Sequence, residues 1–325
     1  MTVSNMRQSV ADLDDAIAWV GTLIPDLKKS WRYFHYRDLL QELIDDANDP
    51  TYLTINMAEL SYVLEAFNST QTLLAIHRKL KSRTDPPFRI KLREATYGPL
   101  FPSQETKDLH NKSWGSHGRN TEAELVIAAL VKDPDAITFN SADFAITTPS
   151  YKIGVEVKRL QSPTSIVRLY LAGAKQIQEN PDIQWGVVML RFDRLLYSNK
   201  KGPILLTKPM LERKRYVGLR VKESEEMIPH LRFQVESLQR DFAHLFLAET
   251  RNFNLKKVLG YGVYVNMPFA IGQPPNIHNE GLVKMTFWGA REGDIERLKA
   301  RKEFMESQEY RDCITIEPTS QVILL

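Results

Sequence analysis

Apolar positions return at helical spacing through the first eighty residues, and the period then changes. Val10, Leu13, Ile17, Val20 and Ile24 predict one helix, interrupted after Pro25. Tyr36, Leu39, Leu40, Leu43 and Ile44 predict a second, ended by Asn48-Asp49-Pro50. Met57, Leu60, Val63 and Leu64 predict a third, and Leu73, Leu74, His77 and Leu80 a fourth, with His77 read as a core histidine. From residue 142 the period falls to two. Phe144 and Ile146 alternate with small or polar residues, and Ile153, Val155 and Val157 alternate with Lys152, Gly154, Glu156 and Lys158. Thr148-Pro149-Ser150-Tyr151 suits a four-residue hairpin loop, with Pro149 at the second position of a type I turn. Trp185 to Phe192 reads as a buried strand, Leu259–Ile271 and Leu282–Trp288 as further strands, and Asp294–Glu309 as a helix. Another helix is expected from about Glu225 to Arg251, and two short strands at the end of the sequence, around Cys313 and Gln321.

The hairpin carries the candidate chemistry. A four-residue loop makes paired residue numbers sum to 299, which sets Asp143 opposite Glu156. Side chains directly opposite share a face, about 4.5–5.5 Å apart at Cβ, and like charges there destabilise a sheet. A cation between them removes the conflict, and Mg²⁺ is commonly held by one or two carboxylates plus phosphate. Gly154, on the same face, is expected to leave room above the strand, and Lys158 to meet the ion's water or a phosphate. The competing reading is an amphipathic hairpin with a solvated charged face. Upstream, Gly118 to Val131 reads as a helix. Thr121 and Glu124 form a T-x-x-E capping box, which gives Glu124 a structural task. Glu122 lies on the stripe of Leu125, Val126 and Ala129 and is expected to point at the hairpin, unless it serves only the helix dipole.

Helix with Glu122, strand, strand with Asp143, strand with Glu156-Val157-Lys158, helix, strand: this order resembles the PD-(D/E)xK nuclease superfamily, and the core looks most like archaeal Holliday junction resolvases. The resemblance covers roughly residues 115 to 192. The residue before Asp143 is Ala142 where that family has proline, and Pro134-Asp135 falls in a turn before the first strand. The resemblance implies an α/β fold, a restriction-endonuclease-like mixed sheet flanked by helices, and Mg²⁺-dependent hydrolysis of DNA, with Mn²⁺ as an alternative ion. It implies Asp143 and Glu156 as metal ligands, the Val157 carbonyl as a further one, Glu122 as support, and Lys158 at the attacking water. A polar residue on the following helix, Lys175 or Gln176, is implied as support for the site.

Composition narrows the remainder. The 325 residues suggest a helical N-terminal domain over 1–108, ending in a basic, proline-punctuated connector, and a nuclease domain over 109–325 with C-terminal additions. Up to residue 70 the chain has eleven Asp or Glu against five Lys or Arg, which suits a solvated bundle or a docking module for a partner protein. Net charge is only +3, so nucleic-acid binding has to come from local patches. Between Arg191 and Lys222 there are ten Lys or Arg and two acidic residues, and Lys200, Lys201, Arg213, Lys214 and Arg215 are the candidate DNA contacts. A solvated loop, or a surface for the acidic N-terminal part, is the alternative there. The single cysteine, Cys313, excludes a disulfide within the chain and a cysteine zinc site and fits a cytoplasmic protein. Met1 to Asp15 lacks the pattern of a secretory signal, and no apolar run is long enough to span a membrane. No nucleotide-binding glycine motif is present. The expectation is a Mg²⁺-dependent DNA endonuclease with no support for nucleotide use, acting alone or as a homo-oligomer, for example as the nuclease effector of a bacterial anti-phage system. A non-cutting nucleic-acid-binding subunit and a junction resolvase are the alternatives.

Overall fold

The computed structural model describes residues 3–29, 31–46, 60–100, 116–139, 142–160, 165–191, 204–206, 255–273, 276–290, 294–309, 313–317 and 321–324. The described residues form an α/β protein. Helices α1 (Val3–Leu23), α2 (Arg32–Asp45), α3 (Leu60–Leu80) and α4 (Pro86–Ala95) precede α5 (His117–Ala128). Strands β1 (Ile137–Thr138), β2 (Phe144–Thr147) and β3 (Lys152–Arg159) follow, then α6 (Ile166–Glu179) and β4 (Trp185–Arg191). Beyond them lie β5 (Ile204–Leu206), β6 (Val258–Gln273), β7 (Asn276–Ala290), α7 (Ile295–Ser307), β8 (Cys313–Glu317) and β9 (Gln321–Leu324). The nine strands make one mixed sheet in the order β1-β2-β3-β4-β6-β7-β8-β9, with β5 beside β6. The third and fourth expected helices are one continuous helix, α3, because no breaker separates their stripes. The helix expected near Glu225–Arg251 lies outside the described residues. No described helix is long and apolar enough to cross a membrane.

The hairpin register agrees with its expected sum. Phe144 pairs with Val155, Ala145 with Gly154, Ile146 with Ile153 and Thr147 with Lys152. The Thr148 N–H donates to the Tyr151 carbonyl at 2.8 Å and closes the loop. From the far end of the chain, α7 fixes that loop: Glu303 accepts from Thr148 Oγ1 at 2.7 Å and from the Ser150 N–H at 3.0 Å. Strand β3 then runs parallel to β4, with Glu156 beside Val188 and Lys158 beside Leu190. A parallel pair needs a crossover, and α6 supplies it. Both faces of β3 are covered, which is why the alternation in its sequence is not an alternation in exposure: every residue from Ile153 to Val157 is buried. The solvated-hairpin reading therefore does not describe Glu156, only 4% of which is exposed.

The N-terminal helices are continuous with this sheet. One hydrophobic cluster takes in Leu13, Val20 and Leu40 from the helices, Leu125 from α5, and Ile153, Val155 and Val157 from β3. The boundary expected near residue 108 falls outside the described residues, and the two sides of it share a core. The described part of the expected connector, up to residue 100, is also structured. Asp85 caps α4 by accepting from the Phe88 N–H at 3.2 Å, and Pro86 and Pro87 open the helix, where proline is tolerated. Arg83 ties this corner to the sheet, donating to the carbonyls of Pro134 and Ile137 at 2.7 Å each. Helix α5 sits tightly on the end of α4: a Cβ added at Gly118 would stand 2.1 Å from the Tyr97 carbonyl oxygen.

Candidate active site

Three charged side chains meet at the open end of the hairpin. Lys158 Nζ lies 2.7 Å from Glu156 Oε2 and 3.8 Å from Asp143 Oδ2, so one ammonium bridges the two carboxylates that the register sets across from each other. Asp143 is oriented by backbone as well, accepting from the Val157 N–H at 2.6 Å. Glu124 of α5 has a lysine of its own, Lys91 of α4. Burial, followed by the charge of Asp143, pushes its pKa up to about 7, although Lys91 of α4 is ion-paired with it. Burial and then Asp143 also raise Glu156, with Lys158 acting the other way. Burial and the charge of Asp143 thus raise both Glu124 and Glu156, against the opposing pull of Lys91 and Lys158.

Glu122 is not in this group. It is buried on another side of α5, where Oε1 accepts from Arg32 Nη2 and from the Tyr33 hydroxyl, each at 2.5 Å. Arg32 also donates to the carbonyls of Ala95 at 2.9 Å and Tyr97 at 2.8 Å, so it ties α2 to the end of α4 and to α5 at once. Burial by itself would raise the Glu122 acid, but Arg32 and Arg119 outweigh it and hold the group below its ordinary range. Glu122 therefore does not point at the hairpin, and Glu124 pairs with Lys91 and does not cap the helix. The capping box is absent because α5 begins earlier, at His117 with Ser116 as its cap residue. Thr121 falls in the second turn and donates to the His117 carbonyl at 3.2 Å.

Other expected positions divide. The space over Gly154 is taken by Ile183, whose Cδ1 would be 2.5 Å from an added Cβ, so this glycine admits a side chain and not a ligand. Lys175 and Gln176 are exposed on α6, and Lys175 is 3.7 Å from Glu179 one turn along. What α6 offers the site is Gly173, where an added Cβ would stand 3.2 Å from Lys158 Cε; its lack of a side chain makes the channel for the lysine stem. Ala142 has φ of 59°, a value the proline ring cannot adopt, so the departure from the family pattern before Asp143 is built into the backbone here. Asp135 is exposed in a short 3-10 turn. Lys200, Lys201, Arg213, Lys214 and Arg215 lie outside the described residues. Lys91, which the sequence reading did not select, had one available signal: it falls on a short capped helix among Phe88, Leu92 and Ala95, all of which are buried.

Among the described residues, no three His, Cys, Asp or Glu side chains are grouped so as to hold a metal ion. The donor set nevertheless fits a hard divalent cation of the Mg²⁺ type, which needs only one or two carboxylates and takes its other oxygens from water and phosphate. The observation behind this fit is Lys158, a cation already accommodated between Glu156 and Asp143. Comparison with protein-family models, curated proteins and solved structures gives no match.

Proposed function

We propose that this protein is a divalent-cation-dependent hydrolase of DNA phosphodiester bonds. The observation that carries the reading is the convergence of Asp143, Glu156 and Lys158, delivered by the hairpin register and the β3–β4 pairing. The order α5-β1-β2-β3-α6-β4 supports the restriction-endonuclease-like resemblance. In this proposal Asp143 and Glu156 hold the cation, and Glu122, bonded to Arg32 and Tyr33, takes no part. The cation, when bound, supplies a Lewis acid for the phosphate and lowers the pKa of water. Asp143 is kept in place by the Val157 N–H, so its position does not depend on the ion. Lys158, guided along Gly173, offers an ammonium to the phosphoryl oxygens or the attacking water, where it offsets negative charge that grows in the transition state. In-line attack by water would leave a 5′-phosphate and a 3′-hydroxyl.

The test is incubation of the purified protein with plasmid, linear, single-stranded and branched DNA, with Mg²⁺ or with EDTA. Cleavage is expected only with Mg²⁺, and Asp143→Asn, Glu156→Ala and Lys158→Ala are each expected to abolish it while the protein stays folded. Full cleavage by Asp143→Asn would remove the site assignment.

A further inference from the structure

Lys158 and Glu156 stand two apart on β3, so their side chains share a face, and the lysine turns back along its own strand to the acid. Its ammonium sits 2.7 Å from Glu156 Oε2 and 3.8 Å from Asp143 Oδ2. The corner is shielded: the Lys158, Glu156 and Asp143 side chains are only 16%, 5% and 20% exposed. Neither end of the contact is loose. Packing holds the lysine stem, because a Cβ added at Gly173 of α6 would stand 3.2 Å from Lys158 Cε and 3.1 Å from Val188 Cγ1 of β4. On the acid side, Asp143 Oδ2 also accepts from the Val157 N–H at 2.6 Å, which fixes the oxygen that faces the lysine. The ammonium therefore stands where a cation shared by the two carboxylates would have to bind.

We propose that Lys158 is the built-in occupant of the cation position, and that a divalent cation binds by displacing its ammonium from the two carboxylates. This rests on the reading of the site as a cation-dependent hydrolase. An ion bonded to Glu156 Oε2 at about 2.1 Å would lie within about 5 Å of an ammonium left 2.7 Å from the same oxygen. In so shielded a corner two positive charges at that separation repel strongly. The carboxylate pair therefore serves one of them at a time. Without the cation, the lysine keeps two facing carboxylates from standing unbalanced. With it, the ammonium is released toward the DNA phosphate, so the lysine reaches substrate only when the cation is in place. A lysine that merely packed against α6 would have neither effect.

The experiment follows the melting temperature of the full chain, without DNA and at one neutral pH, as Mg²⁺ is added. Ligand binding to the native state raises melting as the site fills. Lys158→Met and Lys158→Gln are expected to melt lower than the wild type without Mg²⁺. They are also expected to reach half-saturation at a Mg²⁺ concentration at least about tenfold lower, the scale of one unit charge at a partly buried site. Adding Glu156→Gln to Lys158→Met should cancel that gain. A second measurement needs no variant: acetylation of Lys158 by acetic anhydride, read by mass spectrometry against exposed Lys175, should be severalfold faster in saturating Mg²⁺ than in EDTA. If Glu156→Gln weakens Mg²⁺ binding but both neutral Lys158 variants bind as the wild type does, or more weakly, the proposal is overturned and the hydrolase reading stands. Acetylation of Lys158 that Mg²⁺ leaves unchanged or slows overturns it equally. If neither the wild type nor the neutral Lys158 variants show a saturable Mg²⁺ effect, or Glu156→Gln leaves that effect unchanged, the hydrolase reading fails and this proposal fails with it.

Discussion

Helix α5 carries two glutamates two residues apart, and the protein treats them in opposite ways. Glu122 is surrounded by donors: Arg32 and Tyr33 bond it directly, and Arg119 adds positive charge nearby. Among the described residues Glu124 has only one direct partner, Lys91, and the negative charge of Asp143 works against it. Both are largely withdrawn from water, so burial does not separate them. The sign of the neighbouring charge does. A carboxylate over-supplied with donors holds elements together. One crowded by other carboxylates stores unfavourable charge that a cation can relieve, and such perturbed acids gather at functional sites.

The largest way to break this contrast is Glu122→Gln. It leaves Arg32 buried without its counter-charge, and the melting free energy should fall by about 3 kcal/mol, near the lower end for a broken buried pair because the amide oxygen still accepts. Glu124→Gln should have a smaller net effect, within about 2 kcal/mol, because relief of a disfavoured buried carboxylate is offset by leaving Lys91 without its partner. The pH dependence sharpens the contrast. The acid of Glu122 is lowered in the folded state, so its contribution is present above the ordinary glutamate range and is lost as pH falls through its folded value. The acid of Glu124 is raised, so the native state binds the extra proton and stability declines as pH rises from 4.5 to about 7. Denaturant titrations across pH should show the acid-side loss flattened in Glu122→Gln and the decline from 4.5 to about 7 flattened in Glu124→Gln. The smallest effect belongs to α6: Lys175→Ala and Gln176→Ala should each change stability by less than about 0.5 kcal/mol and leave cleavage intact, because both are exposed.

The hairpin could be read from the sequence because its information is local. A four-residue loop and a period of two fix which residues face each other, and no distant segment needs to agree. The order of elements from α5 to β4 could be read for the same reason. Glu122 and Glu124 could not be told apart. The apolar stripe of α5 correctly showed that Glu122 points inward, but inward is where Arg32 lies, ninety residues earlier in the chain. The basic stretch from Arg78 to Arg93, part of the expected connector, shows the same dependence on distant segments. In the fold, Lys79 pairs with Glu309, Arg83 with Asp85, Lys91 with Glu124 and Arg93 with Asp26, so much of its charge is used internally.

The sequence by itself determined the helical stripes, the hairpin register and the pairing of Asp143 with Glu156 and Lys158. These follow from backbone periodicity and turn geometry, which act over a few residues. Tertiary structure decided that Glu122 is withdrawn to Arg32, that Gly173 and not a polar side chain of α6 receives Lys158, and that α4 pairs Lys91 with Glu124. Each of those choices depends on which charge or volume a remote segment brings to the same place, and a one-dimensional pattern does not carry that information.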